Sequence, residues 1–203
     1  TNSRWDTPEH RPRDPRRRNP NGKLFAPFHD IQMAVEGRAA GALADLFRER
    51  WLWATGRQIP SRGNEKRSLW PGMLEPDLTN VPVGVSRTMP AFKGREEARE
   101  VEILFQDMIR SATKYIYMEN QYFTSRAVYQ ALLERMQVKG NRPLEIILFL
   151  PREPNALIEE IALTTAQAQV LRSLKEAARK QGHHFGVYFP ARRDKGKTVA
   201  TYI

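Results

Sequence analysis

The 203-residue chain reads as an α/β fold, a largely parallel or mixed sheet sandwiched by helices. Three observations predict it. Short apolar runs of strand character, at 81–85, 115–119, 146–150 and 187–189, alternate with helix-period segments long enough to serve as crossovers between parallel strands. The run Ile146-Ile147-Leu148-Phe149-Leu150 is continuously apolar, as in a strand covered on both faces. Finally, Glu119, Asn120 and Gln121 close an apolar strand just before a helix, where open α/β sheets receive ligands.

Each element follows from local pattern. Residues 1–30 carry Pro8, Pro12, Pro15, Pro20 and Pro27 and are expected to be irregular. Ile31, Met33 and Val35 alternate with Gln32, Ala34 and Glu36, a strand with one buried face. After Gly37, Ala40, Leu43, Phe47 and Trp51 recur at helical spacing, so a helix is expected to turn this stripe into core and to end at Gly56. Residues 57–80 lose periodicity and hold Pro60, Gly63, Pro71, Gly72 and Pro76, the composition of a connector, with Trp70 and Leu74 as its anchors. Val81, Val83 and Val85 alternate next, and Pro82 makes that strand an edge or a first position.

A helix over about 95–112 places Val101, Leu104, Phe105, Met108 and Ala112 on one face. The 115–119 strand leads into a helix from Ser125 that Gly140 closes. Past the 146–150 strand, Asn155 caps a long helix in which Leu157, Ile161, Ala168, Leu171, Leu174 and Ala178 share a side and Gly182 ends. Residues 187–189 form the last clear strand.

Composition bounds the partners. A formal net charge of +10 favours phosphate-rich surfaces, either anionic lipid or nucleic acid. The densest basic stretch, 11–18, contains Pro12 and Pro15 and cannot be helical; it reads as a solvated loop or as a phosphate-surface contact. Cysteine is absent, which excludes thiol nucleophiles, thiolate metal sites and disulfides. No apolar run approaches the ~18 residues of a membrane span, and residues 1–5 show no signal-peptide organisation.

Residues 115–123, YIYMENQYF, closely resemble the IYIENQYF signature of phospholipase D enzymes, and four further stretches agree in order. Arg4 to His10 is similar to that family's RYDTxxH segment, and residues 27–32, PFHDIQ, to its PWHDVH segment. Val35-Glu36-Gly37 with Phe47 to Trp51 resembles its xxGPxAxDLxxxFxQRW helix, and Val85-Ser86-Arg87-Thr88 its VQVSRT strand. The similarity spans residues 4 to about 150. The family's two His-x-Lys-x-x-x-x-Asp copies are missing, because none of the four histidines has lysine two places on. The expectation is therefore an internal piece lying between the two catalytic segments. It would hold the end of a first lobe (1–56), a connector (57–80) and the start of a second lobe (81–203).

The resemblance implies hydrolysis or transfer of phosphatidyl groups through a phosphohistidine, with phospholipid as substrate, an anionic membrane as surface and no catalytic residue in this chain. It implies Gln121 as a hydrogen-bond donor at the substrate phosphate, since its amide donates without adding charge. Asn120 joins it as substrate-binding. Arg87 reads either as a phosphate contact or as a structural tie at a strand end. Glu119 would orient a lysine or histidine of a catalytic segment, with Asp6 and Asp30 as further active-site support. The resemblance also implies His10 and His29 as ligands of a calcium ion, with Asp6 and Asp30 nearby in sequence. Calcium prefers ~6–8 oxygen ligands, and the residues by themselves read instead as histidines that hydrogen-bond carboxylates and brace a wall. His183-His184 reads as a solvated helix end. Two other functions stay open, a nuclease-type member of the superfamily and a non-catalytic basic module for anionic membrane or nucleic acid.

Overall fold

The computed structural model describes residues 5–61, 68–138, 140, 142–151 and 158–201, without the side chains of 158–165 and of Lys197. The expectations at Arg4, Gly63, Asn155 and Leu157, and for the side chain of Ile161, lie outside the described residues. The chain divides into two compact units, Thr1–Ile31 with Glu102–Ile203, and Gln32–Val101. This division by packing differs from the partition into 1–56, 57–80 and 81–203.

The first unit is α/β, as predicted. Its three strands, β3 (Tyr115–Glu119), β4 (Glu145–Phe149) and β5 (His184–Tyr188), pair in parallel in the order β3-β4-β5. Helices α3 (Arg126–Gln137) and α4 (Ile158–Gln181) make the two crossovers. Because strand order follows sequence order and such crossovers are right-handed, both helices fall on the same face of the sheet. That face is the core. Ile116, Ile146 and Leu148 pack there with Leu132 and Met136 of α3, Leu174 and Ala178 of α4, and Ile109 of α2 (Glu100–Ser111).

Strand side chains alternate between faces, so Tyr115, Tyr117, Glu119, Ile147, Phe149 and Tyr188 point the other way. The continuous apolar run of β4 is therefore covered less evenly than expected. Ile146 and Leu148 are fully buried, whereas Ile147 and Phe149 are half-buried. Tyr117, Phe149 and Tyr188 form a ladder of rings across the three strands, with centroids 5.5 and 5.7 Å apart. Gly186 lets the Tyr188 ring lie over its own strand, since a Cβ there would collide with that ring.

Beyond β5, β6 (Ala191–Asp194) and β7 (Lys197–Ala200) form an antiparallel hairpin that periodicity did not single out. Its two-residue loop, Lys195-Gly196, has φ of 46° and 78°, the left-handed pair that suits a tight hairpin.

In the second unit α1 (Arg38–Thr55) ends as predicted, with Gly56 in the left-handed region and its N–H bonded to the Leu52 carbonyl at 2.8 Å. The prediction that its stripe is core is corrected. Leu43, Phe47 and Trp51 are all exposed, Phe47 at 59%, and no described residue of 32–101 is buried. The strands expected at 31–36 and 81–85 are also corrected to irregular backbone, with Met33 84% exposed. Alternation marks a face, but a strand needs a ladder partner, and Pro82 offers no N–H for one. Pairing begins later, between β1 (Thr88–Met89) and β2 (Ala98–Arg99), antiparallel. Since β2 takes 98–99, α2 starts at Glu100 rather than near 95. In the connector, the Trp70 indole donates to the Leu74 carbonyl at 2.7 Å, a local closure of the turn between them.

Candidate functional site

The polar centre of the first unit grows from a buried ion pair. Arg17 is 1% exposed, and its Nη1 donates to Asp6 Oδ1 at 2.7 Å. Its other donors hold three carbonyls, Nε on Phe25 at 3.0 Å and Nη2 on Arg11 at 2.7 Å and Pro12 at 3.1 Å. One guanidinium thus ties the proline-rich segment into a fixed loop. This corrects the reading of 11–18 as wholly surface. Arg11, Arg13, Arg16 and Arg18 are exposed, but Arg17 is internal, and Asp14 is buried against the Arg16 guanidinium.

Asp6 is saturated with donors. Oδ1 also accepts the Thr7 N–H at 2.8 Å, and Oδ2 accepts the Phe28 N–H at 2.9 Å and His10 Nδ1 at 3.1 Å. Burial raises its pKa, but the bonds from Phe28, Arg17, His10 and Thr7 together outweigh that and hold it below the ordinary carboxylate value.

From Asp6 a line of hydrogen bonds runs to the sheet. His10 Nε2 faces His29 Nδ1 at 3.3 Å, the two rings meeting edge to face at 5.3 Å. His29 Nε2 faces Glu119 Oε2 at 3.1 Å, and Glu119 Oε1 accepts the Tyr117 hydroxyl in a short bond. That bond to Glu119, aided by burial and the carboxylate charge, pushes the Tyr117 hydroxyl up to about 12. His10 has φ of 45°, an unfavourable region for a non-glycine residue that persists where the surroundings impose it. The segment 5–30 is thereby bonded to the carboxyl end of β3.

The triplet that ends β3 is partly accounted for. Glu119 belongs to the line just described, bonded to a histidine of this same chain. The Asn120 N–H extends the β3–β4 ladder to the Phe149 carbonyl at 3.1 Å, leaving its side chain exposed. Gln121 is exposed, and its amide has no partner among the described residues. The chain then turns inward. Phe123 is buried and its N–H bonds Gln167 Oε1 at 2.8 Å, while Ser125 Oγ caps α3 by accepting the Val128 N–H.

Asp30 is exposed, with no partner among the described residues. Arg87 belongs to the other unit, where its guanidinium binds both carboxylate oxygens of Glu100 at 2.7 and 3.0 Å and its N–H adds a third bond at 2.8 Å. Sequence reasoning missed Arg17 and Tyr117. A buried arginine within a basic run carries no periodic mark, and Tyr117 looked like one more residue of an apolar strand.

The donor set does not suit calcium. Among the described residues no group of three or more His, Asp or Glu side chains is arranged to hold a metal ion. Asp6 has its oxygens filled by four donors, Asp30 stands apart, and what the histidines turn toward each other is nitrogen, whereas calcium takes oxygen. His183 is also corrected from a solvated helix end. It is buried, its Nδ1 accepts the Leu144 N–H at 2.9 Å and its Nε2 bonds the Met136 carbonyl at 2.9 Å, fixing the neutral Nε2–H tautomer. Only His184 is exposed.

No family profile matches the chain. Cardiolipin synthase A of Pseudomonas aeruginosa is 27% identical over 134 residues, 64% of this chain and 24% of that protein. Phospholipase D1 of Saccharomyces cerevisiae is 26% identical over 186 residues, 74% of this chain and 10% of that protein. Cardiolipin synthase A of Pseudomonas syringae is 25% identical over 131 residues. The chain thus spans about a quarter of the cardiolipin synthases and a tenth of the yeast protein. These similarities support the phospholipase D superfamily for this chain and single out no member of it.

Proposed function

We propose that this chain forms part of the wall of a phosphodiester-handling cleft, in a phospholipase D-type enzyme that hydrolyses or transfers phosphatidyl groups through a phosphohistidine. The nucleophile and the general acid are supplied by two His-x-Lys-x-x-x-x-Asp segments outside these 203 residues. Within the chain Gln121 donates to the phosphoryl oxygens, Asn120 assists and Glu119 fixes the approach from β3. Asp6 supports Glu119 through the histidine line. Arg87 and Asp30 are assigned here only by resemblance. The substrate is a phospholipid on an anionic surface.

One observation carries the reading. Gln121 stands exposed two residues past the carboxyl end of a parallel strand, its amide without a partner among the described residues and the carboxylate that ends the strand already engaged. A donor left free at that position can serve a ligand. The relatives named for cardiolipin synthesis and phospholipase D activity support a phospholipid rather than a nucleic acid.

Two assays test it. The 203-residue chain alone, given phosphatidylcholine or phosphatidylglycerol vesicles, should release no headgroup; robust turnover would refute the assignment of reactive histidines elsewhere. In an enzyme combining this segment with both catalytic copies, Gln121→Ala should lower kcat/KM for phosphatidyl substrates by about 10²-fold, the usual effect of losing one preorganised donor. An unchanged rate would remove Gln121 from the site.

A further inference from the structure

The line Asp6–His10–His29–Glu119 contains more hydrogen-bond links than two neutral histidines can fill. Each link needs one proton. Asp6 to His10 Nδ1 takes one, His10 Nε2 to His29 Nδ1 a second, and His29 Nε2 to Glu119 Oε2 a third. Two neutral imidazoles bring only two. If both faced their carboxylates with N–H, the nitrogens between the rings would set lone pair against lone pair at 3.3 Å. An electrophile belongs in that gap, and the donor set around it does not suit calcium.

We propose that one added proton, not a metal ion, completes the line, so that His10 and His29 act as a single shared imidazolium clasped between two carboxylates. The charges support this. Among the described residues, the acidic groups bonded to the pair are Asp6 and Glu119, Arg17 is the cation bonded to Asp6, and Tyr117 donates to Glu119 as a neutral hydroxyl. With the added proton the two negative and two positive charges cancel; without it a partly buried cluster keeps a net negative charge. His10, His29 and Tyr117 are thus positioning residues. They hold Glu119, and with it the backbone that presents Asn120 and Gln121. The inference does not depend on the substrate.

Histidine ring ¹⁵N–¹H correlation spectra of the full chain near neutral pH count these protons. His10 Nδ1 and His29 Nε2 should both be protonated, and His10 Nε2 and His29 Nδ1 should share the third proton with intermediate shifts. His183, fixed as the Nε2–H tautomer, is the internal reference. Added calcium chloride should move none of the four ring nitrogens of the pair. An unprotonated nitrogen facing either carboxylate, or a calcium-dependent shift of the pair, would overturn the proposal. Glu119→Gln offers an amide that can donate to His29 Nε2 while its oxygen keeps the Tyr117 hydroxyl, so the third proton should be lost. Retention of three protons in that variant would equally contradict the shared imidazolium.

Discussion

Removing Arg17 would leave the Asp6 carboxylate enclosed without its ion partner and three carbonyls without their donor. Arg17→Met should cost about 3–5 kcal/mol, the usual effect of breaking one side of a buried pair, read as a lower urea midpoint at neutral pH. Asp6 also sets a pH dependence. Its folded pKa is depressed, so its contribution is complete above the unfolded carboxylate value near ~4 and is lost as pH falls through the lower folded value. Asp6→Asn should flatten the acid side of the stability profile, and an acid limb of unchanged slope would show that Asp6 does not govern it. At this scale the sequence was half legible. His10 and His29 could be read as partners of carboxylates, and for His10 the spacing Asp6-x-x-x-His10 places the two groups within reach. That Glu119 would be the partner of His29, across 90 residues, had no local sign.

The parallel strands were the readable elements. Apolar runs of about five residues, separated by helix-period segments, leave few alternatives to a crossover sheet. What failed at 31–36 and 81–85 was pairing, because alternation describes a surface and says nothing about which backbone lies alongside. The end of α3 offers a test at the same scale. His183 joins the Met136 carbonyl of α3 to the Leu144 N–H that precedes β4. His183→Leu should fill the volume but leave both backbone groups unpaired, costing about 1–3 kcal/mol. Amide exchange should show Leu144 losing protection; undisturbed protection there would mean the bond is not a structural tie.

For the molecule as a whole, the apolar side chains are unevenly used. The sheet unit gathers the core, whereas α1 and the segments around it keep Leu43, Phe47, Trp51 and Met33 in the open. Hydrogen exchange should reflect this. Amides of α1 should exchange orders of magnitude faster than those of β3 and β4, because few buried contacts oppose opening. Comparable protection in both would contradict the exposed placement of Leu43, Phe47 and Trp51. Among the described residues no helix is long and apolar enough to cross a membrane. The net charge of +10 remains compatible with an anionic surface. Five ordered stretches made a resemblance to phospholipase D enzymes legible, and the weak relatives agree with it; the chemistry was not legible, because no histidine here has the spacing that chemistry needs.

The most direct test is titration of the chain with a short-chain phosphatidylglycerol kept below its micelle concentration, followed through side-chain amide resonances. The Gln121 and Asn120 signals should shift in a saturable way while the lipid stays intact. Shifts confined to residues far from β3, or cleavage of the lipid by this chain alone, would contradict a phosphate-binding wall that lacks its reactive groups.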